Sequence, residues 1–140
     1  MQGVAVALRT AVLDEIGPCH EAIFQFYNMT TVSILYSTTE KRMKDNICLI
    51  VVYRGHVNLL FPRGVDLKDP IGLLEGAGKV MRHVKMRAVT DVGRPGVREL
   101  IGQAKRRPEL GKPTKPLRRV VTTLKAKPAA KKQPALPRLF

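Results

Sequence analysis

Residues 1–107 predict an α+β fold, a compact two-layer domain with an antiparallel sheet and helices near both ends, followed by a disordered basic tail over 108–140. Three observations carry this reading. Three apolar runs of strand length lie close together, at 31–36, 47–53 and 57–61. Helical periodicity brackets them, with Ala5, Leu8, Val12 and Ile16 on one side and Val97, Leu100, Ile101 and Ala104 on the other. Beyond Arg107 the composition changes: six of the ten prolines lie there, and nine Lys or Arg face only Glu109.

The first helix is expected over 3–16, where Gly17-Pro18 stops it with a glycine past its end and a proline beyond. Pro18 also suits the first turn of a second, shorter helix, with Ile23, Phe26 and Tyr27 turned inward and Asn28 in the turn that ends it. Both alternating sets of the 47–53 run are apolar, so that strand is placed centrally and covered on both faces. In the next run His56 and Asn58 alternate with Val57 and Leu59, which marks a half-exposed strand. Arg54-Gly55 between the two is short enough for a hairpin, with Gly55 available for a positive φ.

Pro62, Arg63, Gly64, Asp69 and Pro70 punctuate a surface connection. Strand-like alternation resumes over 80–88, with Val80, Val84 and Met86 on one face and His83, Lys85 and Arg87 on the other. A last amphipathic helix starts near Pro95 and ends before Pro108. In the tail, scattered apolar residues and self-repelling charges cannot offset the entropy of ordering, and only 117–124 is read as a transient helix.

The chain of 140 residues carries a formal charge of +14, which favours polyanions: nucleic acid, anionic head groups or phosphorylated metabolites. Cys19 and Cys48 form no C-x-x-C pair and suggest neither a disulfide framework nor a zinc site. The apolar stretch 4–8 is interrupted by Arg9 and followed by Asp14 and Glu15, which fits neither a signal peptide nor a membrane span, so a cytoplasmic protein is expected. Ser-His-Asp ordering, paired carboxylates and H-E-x-x-H are all absent from the sequence, and no enzyme is predicted.

Gly76-Ala77-Gly78-Lys79 invites comparison with a phosphate-binding loop, but the spacing fails. Leu73 stands where the motif needs its first glycine, and Val80 where it needs a hydroxyl. Two readings of the turn remain. In one, Gly76 and Gly78 serve backbone geometry. In the other, Lys79, Arg82 and His83 are donors to a small anionic ligand, with Glu75 orienting them. His20, His56 and His83 lack the spacing of a metal-ligand set, and no metal site is predicted from them. Cys48 reads as an inert core thiol, and Cys19, beside the start of the expected second helix, has the position of a thiol with a lowered pKa but no catalytic partner, so it too is read as unreactive. In the tail, Lys112, Lys115, Arg118, Arg119, Lys125, Lys127, Lys131 and Lys132 are candidate phosphate contacts that bind without sequence specificity. Phe140 is the tail's single aromatic, so base stacking is not expected there.

Several motifs occur in order: His56-Val57-Asn58-Leu59, Leu67-Lys68-Asp69-Pro70, Leu73-Leu74-Glu75-Gly76, Gly78-Lys79 and Met81-Arg82-His83-Val84-Lys85. Together they resemble the bacterial YdhG-like family, a domain of unknown function, over roughly residues 32–107. The resemblance implies a frataxin-like fold and, by analogy with a member regarded as an iron chaperone, iron as a possible cargo. Ala77 departs from the threonine common at this place in the family. The ten acids against sixteen Lys and Arg in residues 1–107 also argue against iron capture by surface carboxylates. The expected function is a non-enzymatic module binding a small ligand or partner, with a polyanion-attracting tail. The alternatives are a frataxin-like iron-delivery protein and a nucleic-acid-associated protein acting through the tail.

Overall fold

In the computed structural model, residues 1–26 and 31–114 are described, together with the backbone of 119–124. Helix α1 (Gln2–Ile16) is followed by a meander of five antiparallel strands, β1 (His20–Phe26), β2 (Val32–Ser37), β3 (Asn46–Val52), β4 (Val57–Phe61) and β5 (Arg82–Met86). A 3-10 turn at Gly64–Asp66 lies between β4 and β5. Helices α2 (Val89–Val92) and α3 (Val97–Lys105) follow, and β6 (Arg119–Leu124) joins the far edge parallel to β1. The sheet order is β5-β4-β3-β2-β1-β6.

The helices share one face of the sheet. Val4, Leu8, Ala11, Val12 and Ile16 of α1 and Val97, Leu100, Ile101 and Ala104 of α3 bury against Ile34, Tyr36, Cys48, Ile50, Leu59, Phe61, Val84 and Met86. A smaller apolar cluster, Leu35, Leu49, Val51 and Leu60, lies on the opposite face, bordered by Phe24, Tyr53 and Met81. Because successive strand residues alternate faces, β3 is buried on both sides. No described helix packs on this second face. Among the described residues, no helix is long and apolar enough to cross a membrane.

Helix α1 ends at Gly17, whose φ of 73° suits glycine and whose N–H donates to the Leu13 carbonyl. The Lys105 ammonium from the last turn of α3 donates to the Ile16 carbonyl, so each helix end steadies the other.

The second expected helix is instead strand β1. Pro18 does not open a helix, and residues 20–25 pair with β2 from His20↔Ser37 to Gln25↔Val32, so tertiary pairing overrides the local spacing. The hairpin between β3 and β4 forms, with Tyr53 N–H donating to the His56 carbonyl at 2.9 Å, but Gly55 does not use a positive φ. Val80 lies outside β5 and is exposed. Helix α3 starts near Pro95 as expected, its first residue following Gly96 at φ 94°, and it ends before Pro108.

The packed chain runs past Arg107. Leu110 touches the core, Gly111 and Thr114 bond to the β2–β3 connection, and 119–124 is an extended edge strand where a transient helix was expected. Lys112 is exposed. Arg119 is described by its backbone alone, and Lys115, Arg118, Lys125, Lys127, Lys131 and Lys132 lie outside the described residues.

Gly64 shows how closely the long β4–β5 connection packs on the sheet. A Cβ there would lie 2.4 Å from Arg82 Cβ and 3.0 Å from the Arg82 backbone nitrogen. Gly64→Ala is expected to lose about 1–3 kcal/mol through overpacking, read as a lower urea midpoint with an unchanged slope.

Candidate nucleic-acid interface

The turn preceding β5 is built mostly for its own closure. Asp69 accepts hydrogen bonds from the Leu73 and Leu74 amides at 2.8 and 2.9 Å, and the Gln103 amide clamps the backbone of Lys68 through two bonds. Glu75 and His83 then exchange both backbone bonds as an isolated antiparallel bridge. Gly76 takes φ 130°, a conformation suited to glycine, whereas Gly78 is not among the positive-φ positions. The Arg82 guanidinium turns back on the Gly78 and Met81 carbonyls, at 2.5 and 2.7 Å. Lys79 is exposed. Of the residues read as ligand donors, the structure therefore joins Glu75 to His83 and Gly78 to Arg82 through structural bonds.

A concavity of about 390 Å³ lies elsewhere, lined by Thr39, Glu40, Lys41, Lys44, Asp45, Gly111 and Thr114. Its polar groups hold a latch. Asp45 is 2 % exposed and accepts from the Thr39 hydroxyl at 2.5 Å and the Gly111 amide at 2.8 Å. Those two donors hold its carboxyl below the usual carboxylate range. Thr114 N–H donates to the Thr38 carbonyl, and His20 Nε2 contacts both the Thr114 carbonyl and hydroxyl. The chain after α3 is thereby fastened to the β2–β3 connection.

The buried ionisable groups on the helical face are likewise structural. Arg9 pairs with Glu21 through two bonds, at 2.7 and 3.0 Å, and the Tyr36 hydroxyl donates to the same carboxylate at 2.9 Å. Burial and the neighbouring Glu21 push the Tyr36 hydroxyl up. The same two influences push Cys19 up to about 11, opposite to the lowering expected beside a helix start, because the residue enters a strand. Burial also raises Cys48, which agrees with an inert core thiol. These groups stay protonated near neutral pH and offer no nucleophile. Among the described residues, no three His, Cys, Asp or Glu side chains are grouped to hold a metal ion.

One arrangement leaves its functional groups unengaged. The register Val51↔Asn58↔Lys85 and Leu60↔His83 places Asn58, His83 and Lys85 on the helix-free face, with Arg87 next in the alternation beyond β5. At the neighbouring hairpin, Tyr53 and His56 stack with ring centroids 4.6 Å apart and planes at 21°. Burial, Lys85, Arg87 and His83 together lower the His56 pKa, which keeps the imidazole neutral near pH 7 and marks these cations as its neighbours. Asn58 is 9 % exposed, and its Oδ1 is buried without a hydrogen-bond donor. Two acids flank this margin: Glu75 is bridged to His83 through the backbone, and the Asp91 carboxylate accepts from the Arg87 and Ala88 amides at 2.9 and 3.0 Å.

The margin thus combines the stacked Tyr53 and His56 rings, the His83 imidazole and the Lys85 and Arg87 cations along three strands. The alternation of His56 with Asn58, and of His83 with Lys85 and Arg87, was visible in the sequence. The pairing that merges them was not, and nothing in the spacing singled out Tyr53. Compared with known proteins, the chain matches no family model, no curated protein and no solved structure.

The latch generates a test. Asp45→Asn is expected to lose about 1–3 kcal/mol in denaturant titrations at neutral pH, because two buried donors lose a charged acceptor. With the folded pKa below 3.8, the carboxylate's contribution is complete above 3.8 and fades as pH falls through the folded value. The stability gap between the two proteins should therefore close in acid.

Proposed function

We propose that this chain is a non-enzymatic module that binds nucleic acid as a polyanion, through the helix-free margin formed by β3, β4 and β5. The observation that carries the reading is the register bringing Lys85 and Arg87 beside the Tyr53–His56 stack. The net charge of +14 supports it, because phosphate neutralisation releases counterions and gives affinity without base specificity. Lys112, Lys115, Arg118, Arg119, Lys125, Lys127, Lys131 and Lys132 would add further phosphate contacts from the C-terminal part.

Membership of the YdhG-like family and a frataxin-like fold are proposals resting on the ordered motifs from His56 to Lys85. Iron delivery has no separate support from the side chains described. A small anionic ligand at Lys79, Arg82 and His83 is less favoured than the margin, because Arg82 is already bonded to two carbonyls. A cytoplasmic location is proposed with the nucleic-acid reading.

Fluorescence anisotropy across a salt series tests the proposal on the full chain, with single strands and duplexes as probes. Affinity should fall steeply with salt, and substituting Lys85 and Arg87 by alanine should reduce the magnitude of the log–log slope by roughly 2. Alanines at Lys125, Lys127, Lys131 and Lys132 should flatten the slope further. Absence of binding to any nucleic acid at low salt would remove the reading.

A further inference from the structure

The Tyr53–His56 pair sits where a hairpin lifts two rings beside a row of cations, and its chemistry narrows the kind of nucleic acid. A duplex hides the faces of its bases, and reading its edges requires an element that enters a groove. No described helix projects from this face, and the β3–β4 hairpin is flanked by β2 and β5 up to Val52 and Val57, so no free two-stranded ribbon projects either. A single strand, by contrast, can lay unstacked bases on aromatic rings while its backbone tracks a positive row.

We propose that this margin is a single-strand site in which a base stacks on the Tyr53–His56 pair and adjacent phosphates contact Lys85 and Arg87. This deepens the polyanion reading and rests on it. Both rings are partly exposed and already parallel within 21°, so the platform exists before ligand arrives and costs little ordering on binding. The charge beside the platform is a second observation: Lys85 and Arg87 act electrostatically on His56, so phosphates flanking a stacked base would meet them.

The second aromatic of this face, Phe24, differs in kind. The Arg42 guanidinium already lies 5.8 Å from its ring centroid, and β1 is separated from the hairpin by β2. It is therefore not assigned to the site.

The test uses the full chain and three labelled probes of equal length: an oligodeoxycytidylate, the same sugar-phosphate strand without bases, and a duplex. The oligodeoxycytidylate should bind roughly 5- to 100-fold more tightly than the base-free strand, the range expected for stacking of one base. Tyr53→Leu should remove most of that difference while leaving the salt slope unchanged. Tyr53→Phe should retain it. Equal binding of the base-bearing and base-free strands by the unaltered protein overturns the stacking site while leaving polyanion binding intact, and needs no variant to fold. A preference for duplex overturns it as well. Failure of all three probes to bind removes both this site and the broader reading.

Discussion

Strand β3 is apolar on both faces while helices cover only one, and much of the structure answers to that constraint. Ile50 and Cys48 meet α1 and α3, whereas Leu49 and Val51 join Leu35 and Leu60 on the other side. A strand so placed must be central, since either edge would leave its backbone and side chains partly wet. The meander supplies β2 and β4 as neighbours, and the two helices close a single principal core. Residues at the outer strands are released from burial on the second face. Lys85, His83 and His56 can occur at that margin because they lie beyond its apolar cluster.

Buried polar groups secure the opposite half. Glu21, 4 % exposed on β1, would be costly alone, and Arg9 and Tyr36 join it to α1 and β2. Asp45 plays the corresponding part in the β2–β3 connection, where Thr39 and Gly111 hold it. Lys105 completes the frame by ending α1 from α3. Compensated charge inside therefore fixes the relative positions of elements, whereas Lys85 and Arg87 lie at one sheet margin, the latter with its amide on Asp91.

Local patterning made β2, β3, β4 and α3 legible, because each has a clear period and lies next to its partner or ends at a strong breaker. Strand β1 was misread from Pro18 and the spacing of Ile23 with Phe26, which suit a helix until pairing with β2 is considered. Strand β6 was hidden by proline and lysine around it. It pairs in parallel with a strand nearly one hundred residues earlier, a contact that local propensity does not encode. The four-residue α2 was too short to show a period. At the turn before β5, spacing suggested Arg82 as a ligand donor but could not show its guanidinium folding back on its own turn.

The parallel placement of β6 has a geometric consequence. With β5 at one border and β6 at the other, five interstrand gaps separate the basic margin from the point where the chain leaves Leu124. At about 4.8 Å per gap, that is roughly 24 Å across the sheet. The chain thus leaves its last described strand at the border of the sheet remote from Lys85 and Arg87. On the proposed reading, a single strand would have to span that width to meet both this margin and the cations that follow Leu124 in the sequence. Shorter strands would engage one anchorage at a time, and longer ones would convert polymer length into avidity.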